Sequence, residues 1–171
     1  MEHTEIKYID GKKFSARNRT HAVIIDQPKE NGGGDEGPTP PELFVDSLGS
    51  CIGVYVLAFC RNTGLNPEGM KIILEWEKTN DKPVRIKSIN TRIELPSADV
   101  GARKAALLKV AESCLIHKTI KHQPGITIEL TQQVYTLTML KCQLDSIGIS
   151  FFCAELRFAI PKDFGVAKRT K

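Results

Sequence analysis

Two cysteines in apolar settings carry the most chemical promise in this chain: Cys51 in Leu48-Gly49-Ser50-Cys51-Ile52-Gly53, and Cys114 in Val110-Ala111-Glu112-Ser113-Cys114-Leu115. The thiolate, not the thiol, is the nucleophile, and burial raises a cysteine's pKa unless a cation or a hydrogen-bond donor lowers it. Cys51 lies too far along its predicted helix to use the N-terminal dipole, which fades within the first turn, so it needs an arginine. If the helices carrying Cys51 and Cys114 pack side by side, the sulfurs come within disulfide reach, which requires Cα atoms no more than about 7 Å apart. Buried cysteines on apolar helix faces also occur as plain core residues, and Cys60, Cys142 and Cys153 read that way. Cys114-x-x-His117 followed by His122 has a spacing zinc could use but lacks a fourth ligand, so neither a metal nor another cofactor is expected. His21, at a strand edge, reads as a surface residue.

The element that must position Cys51 is a long helix starting near Thr39. Thr39 suits an N-cap, Pro40 suits the first helical position because its missing N–H would be unpaired there, and Glu42 completes a capping box. Leu43, Phe44, Leu48, Ile52, Tyr55, Val56 and Phe59 make the helix apolar on nearly every face, and Gly64 marks its end. Such a helix belongs in the middle of a fold. Ser47, Gly49, Ser50 and Gly53 keep its surface near Cys51 low, so a second element can approach the sulfur.

The flanking elements follow from alternation and turn residues. Thr4–Ile9, Lys12–Ala16 and His21–Asp26 read as an antiparallel meander, turned at Asp10-Gly11 and at Arg17-Asn18-Arg19, with the third strand the most buried. Lys29–Pro38, rich in glycine, lacks the Gly-Lys-Ser/Thr ending of a phosphate loop and is expected to be a flexible lead-in to the helix. Met70–Lys78 and Val84–Leu95 form a long hairpin with one wet face. Ser97 is expected to cap a second helix over Asp99–Leu115 that ends in Cys114, His117–His122 to be a polar connection, and Ile126–Leu130 to be a closing strand. The order β-β-β-α-β-β-α-β predicts an α+β fold, with antiparallel sheets packed on two central helices. Residues 131–171 are set apart as a C-terminal extension, in which Val134–Leu140, Ile147–Cys153 and Leu156–Ile160 fit either strands or a helix.

The totals exclude several classes. The chain has 171 residues, 41% of them hydrophobic, and a formal net charge of +4 without a long basic run, so neither nucleic-acid binding nor a polybasic membrane contact is expected. The first residues lack a signal-peptide pattern, and the long helix, interrupted by Asp46, Ser47, Gly49, Ser50 and Gly53, reads as too polar for a membrane span. Five cysteines, an odd number at irregular spacing, fit free thiols in a reducing compartment, so the expected location is cytoplasmic.

The run Gly37-Pro38-Thr39-Pro40-Pro41-Glu42-Leu43 leading to Leu48-Gly49-Ser50-Cys51, the second context Cys114-Leu115-Ile116-His117-Lys118-Thr119 and the closing Ile126-Thr127-Ile128-Glu129-Leu130 together resemble the OsmC/Ohr family. The resemblance covers residues 1–130. It implies an intertwined homodimer of α+β subunits with active sites at the subunit interface. It further implies a thiol-dependent peroxidase of organic hydroperoxides, in which Cys51 becomes a sulfenic acid, Cys114 resolves it as a disulfide and a dithiol reductant resets the pair. In family peroxidases an arginine held by a glutamate supports the thiolate. Arg17 and Arg19 are the candidates here, and spacing does not select between them. The family glutamate lies ten residues before the cysteine, where this chain has Pro41. Glu42 is offset by one residue, about 100° around a helix, which suits a capping role. The alternative reading is a non-catalytic dimeric protein that binds a small hydrophobic or thiol-reactive ligand in the same interface cleft.

Overall fold

The computed structural model describes residues 3–132, and the expectations for 133–171, Cys142 and Cys153 among them, lie outside this range. Residues up to Gly125 form one compact unit. It opens with the expected meander: β1 (Glu5–Asp10), β2 (Lys13–Asn18) and β3 (His21–Ile25), paired antiparallel in that order. Gly11 supplies the positive φ, 45°, that the first turn demands. Register pairs Ile6 with Ala16, Tyr8 with Phe14, Phe14 with Ile25 and Ala16 with Val23, so these apolar residues share one face. Tyr8 and Phe14 meet edge to face, with centroids 5.8 Å apart. Only Ala16 of this face is buried, while Ile6, Tyr8, Phe14 and Val23 are exposed in the single chain. Two expectations are corrected here. The third strand is not the most buried, because the middle strand β2 is the one flanked on both edges; and Arg17 and Asn18 still pair within β2, leaving Arg19, at φ 54°, to make the turn.

The glycine-rich segment is tied down rather than flexible. Asp26, 1% exposed, accepts hydrogen bonds from the backbone N–H groups of Gln27, Gly34 and Glu36 at 2.8, 2.9 and 3.2 Å. Lys13 reaches the Glu36 carboxylate at 2.6 Å, and Lys12 donates to the Asn31 carbonyl. The loop lies so close to β3 that a Cβ on Gly33 would sit 1.9 Å from the Gln27 carbonyl oxygen, and one on Gly37 2.3 Å from that of Ile24. The glycines therefore serve close backbone packing, not anion binding.

Helix α1 (Pro40–Thr63) starts and stops where its capping residues indicate, with Gly64 left-handed at φ 72° and its N–H on the Cys60 carbonyl. Val45, Leu48, Gly49, Ile52, Gly53, Val56 and Cys60 form its buried stripe, whereas Phe44, Val54 and Tyr55 on other faces are exposed in the single chain. By length and composition alone α1 is apolar enough to cross a membrane, contrary to the reading of its sequence as too polar. Its buried stripe is nonetheless that of a core helix, packed on a hairpin of β4 (Lys71–Lys78) and β5 (Ile86–Glu94). Ile72 and Leu74 of β4 meet Gly53 and Gly49, the close approach that small residues permit.

The helix predicted over Asp99–Leu115 stops early, and a further short helix occupies the predicted connection. A 3-10 turn at Gly101–Arg103 leads into α2 (Lys104–Ala111), and α3 (Leu115–Lys121) follows after a break. Ser113 donates its hydroxyl to the Lys109 carbonyl, and the Ser113 and Cys114 N–H groups bond three residues back, tightening the chain so that Cys114 leaves the helix in an extended conformation. His117–His122 is consequently mostly helical, not a polar connection. The closing strand is also corrected: Ile126–Leu130 is no strand among the described residues, and Ile126, Ile128 and Leu130 are 80–95% exposed. Alternation supplies a strand's side-chain pattern but not the paired edge a strand needs.

The hydrogen bonds from Gln27, then those from Glu36 and Gly34, hold the Asp26 pKa below its ordinary 3.8 against the effect of burial. A carboxylate whose folded pKa is lowered stabilises the fold above its unfolded pKa, and that contribution is lost as pH falls through the folded value. Asp26→Asn should therefore lower Tm at neutral pH, with the gap from wild type closing below about pH 4; thermal melts from pH 7 to pH 3 check this.

Candidate functional site

Cys51 and Cys114 come together at one end of the main core. That core comprises Leu48, Ile52, Val56 and Cys60 of α1 with Leu65 just beyond its end, Leu107 and Ala111 of α2, and Cys114, with Cys51 packed on its margin. Helix α1 contacts both α2 and α3, which brings the break between them against the Cys51 turn. Cys51 packs on the cluster that contains Cys114 and lies near enough to raise its pKa. They differ in access: Cys51 is half-buried, whereas Cys114 is fully buried. Ser47 and Ser50 spend their hydroxyls on the helix carbonyls of Phe44 and Asp46, not on Cys51.

The two sulfurs also differ in electrostatics. Burial pushes the Cys114 thiol up, the His117 N–H pulls the other way, and the neighbouring Cys51 pushes up again. The His117 contact makes Cys114 the N-cap of α3: its Sγ accepts that N–H at 3.3 Å. The Cys51 sulfur is thus open to reagents from solvent, and the Cys114 sulfur is shielded from them. Cys60 is fully buried with its pKa raised by burial, the signature of an inert core thiol.

The remaining sequence candidates are not gathered at this point. Thr39 donates its N–H and its hydroxyl to Glu42 Oε2 at 2.7 and 2.8 Å, so Glu42 closes the capping box, and these bonds lower its pKa. Arg17 on β2 and Arg19 in the following turn are exposed, and among the described residues the sulfur contact at this site is a backbone N–H, not a guanidinium. No group of three or more potential metal ligands occurs among the described residues. Sequence reading missed the His117 N–H and the Asp26 anchor. The first follows from a helix break that hydrophobic spacing did not reveal; the second was hinted at by an acidic residue directly before a Pro- and Gly-rich loop.

The family model described as OsmC-like protein matches residues 32–129, more than half of the chain and both cysteine contexts. The chain belongs to the OsmC-like family. Solved structures share its fold. An osmotic stress induced and detoxification response protein from Psychrobacter arcticus is 20% identical with a TM-score of 0.63, covering 70% of this chain and 88% of its own. An OsmC like protein from Mycoplasma pneumoniae is 13% identical with a TM-score of 0.61, covering 72% and 89%. An organic hydroperoxide resistance protein OsmC from Legionella pneumophila is 16% identical with a TM-score of 0.54, covering 70% and 89%. Comparison with curated proteins gave no match.

Access and capping make two predictions. Iodoacetamide at pH 8 should alkylate Cys51 at least about tenfold faster than Cys60 or Cys114 in the folded protein, a difference that peptide mapping resolves and denaturant abolishes. Glu42→Ala should cost about 0.5–1 kcal/mol in urea unfolding at pH 7, the size of a capping contribution. Because the Glu42 pKa is lowered on folding, that cost should shrink as pH falls below the carboxylate's ordinary 4.5.

Proposed function

We propose that this OsmC-like protein is a thiol-dependent peroxidase of organic hydroperoxides acting in a reducing, cytoplasmic setting. The observation that carries the reading is the packing of a half-buried Cys51 on the margin of the core cluster that contains the buried Cys114. The Cys51 thiolate attacks the distal peroxide oxygen; the O–O bond breaks, and the alcohol leaves with a proton. Cys51 is then a sulfenic acid. The Cys114 sulfur attacks it, forming the S–S bond and releasing water, and an external dithiol returns both thiols. Relatives named for organic hydroperoxide resistance support this reading.

The reading includes a homodimer. Within one chain the apolar meander face of Ile6, Tyr8, Phe14 and Val23 is uncovered, as are Phe44, Val54 and Tyr55 of α1. A second copy would cover these surfaces, and its Arg17 or Arg19 would supply the cation that Cys51 lacks. A second reading, a dimer that binds a small hydrophobic or thiol-reactive ligand without turnover, is favoured by the commitment of Glu42 to Thr39, which takes the candidate glutamate away from such an arginine.

Cumene hydroperoxide consumption with a dithiol separates the two. Cys51→Ser should abolish it, and Cys114→Ser should give one turnover and a sulfenic acid trapped by dimedone. Wild-type rates persisting in Cys51→Ser would overturn the peroxidase. Light scattering should give twice the chain mass, and Arg17→Ala or Arg19→Ala should slow the first step about 100-fold or more if that guanidinium serves the thiolate.

A further inference from the structure

In the proposed cycle a dithiol must reopen the disulfide, which requires its thiolate to reach one of the two sulfurs. Cys114 is fully buried and Cys51 is half-buried, so the bond between them would form inside the core margin. The element beside Cys114 is α3, whose Ile116 packs on the cluster that contains this sulfur. Helix α3 has seven residues, none of them buried, and no acidic residue in its first turn. A helix that short is unstable alone, where about 12–15 residues are needed even for marginal order. Its start is held by the Cys114 cap: Sγ accepts the His117 N–H at 3.3 Å, beside the backbone bond from the Lys118 N–H to the Cys114 carbonyl. The sulfur that must be oxidised is thus the one that caps the helix.

We propose that α3 is a redox-read cover. Formation of the Cys51–Cys114 disulfide withdraws the cap and loosens Leu115–Lys121, which admits the dithiol. The inference rests on the pairing of these thiols in the reading above and adds the regulation of their reduction. On oxidation each thiol loses a proton and an electron, and one S–S bond forms. The Cys114 sulfur, now bonded to Cys51 and held toward α1, is a poorer and misdirected acceptor for the His117 N–H. With the first turn of α3 open, a reductant thiolate attacks one sulfur and the other leaves as a thiolate that takes a proton. The reductant's second thiol then displaces the protein, and the restored Cys114 thiol caps α3 again. The cover is therefore closed over Cys114 only while the pair is reduced.

Hydrogen exchange on the full-length protein tests this, with the disulfide made by diamide, whose N=N bond accepts the two electrons and two protons. The outcome is thereby independent of peroxide reactivity. The expected result is exchange of the amides of Ile116–Lys121 about fivefold faster or more after oxidation, the scale of a lost N-cap. Amides of β4 should be unchanged, and dithiothreitol should reverse the effect. Cys114→Ser, whose hydroxyl caps in either condition, should keep its protection in diamide. A mapped Cys51–Cys114 disulfide with equal or slower exchange in α3 would overturn the cover, as would failure of diamide to form that bond. Failure of cumene hydroperoxide alone to form it would overturn the peroxidase while leaving the cover standing.

Discussion

The structure depends on the burial of one stripe of α1. Leu48, Ile52, Val56 and Cys60 recur at four-residue spacing, and each large aliphatic side chain among them contributes about 1.5–3 kcal/mol when removed from water. The hairpin covers this stripe from one side and α2 from another, and small residues set how near each can come. Gly49 has no room for a Cβ, which would sit 2.5 Å from Leu74 Cδ1. Cys51 lies beside the stripe rather than within it, and for that reason it keeps access to solvent while Cys60, nine residues on, has none.

The same packing sorts the thiols chemically. Desolvation penalises a thiolate, so depth in the core separates inert sulfur from reactive sulfur more strongly than residue type does. Cys60 has only burial acting on it. Cys114 has burial opposed by the backbone N–H groups of His117 and Ile116, because the chain leaves the helical path at that residue and starts again after it. A continuous helix through residue 114 would have placed the sulfur on a helical face, with no N–H free to approach it.

The N-terminal half follows a different logic. The meander is held together by its own ladder and by the Asp26 anchor, which turns a glycine-rich stretch into a fixed connection to Thr39. Its apolar face is not consumed by α1 of the same chain. Alternation along β1–β3 therefore describes an apolar surface left exposed in the single chain, the surface on which the proposed arginine and the proposed second subunit would meet.

Local signals in the sequence were enough for the meander, the hairpin and both ends of α1, because turns, caps and alternation act over a few residues. The capping role of Glu42 was legible for the same reason: its offset from the family position left it next to Thr39. Spacing alone carried the second helix on to Leu115 and left α3 as a polar connection, since the break at Glu112–Cys114 comes from serine back-bonding and tightened turns that leave the apolar pattern intact. It also drew Ile126–Leu130 as a strand, since alternation marks faces but not the neighbouring edge. The approach of Cys51 to Cys114 and the burial that separates them join segments more than sixty residues apart, and the His117 N–H meets the second sulfur only because the helix breaks at that residue. Only the tertiary structure decided these, because desolvation and hydrogen-bond geometry belong to what surrounds a residue, and its neighbours in sequence do not specify them.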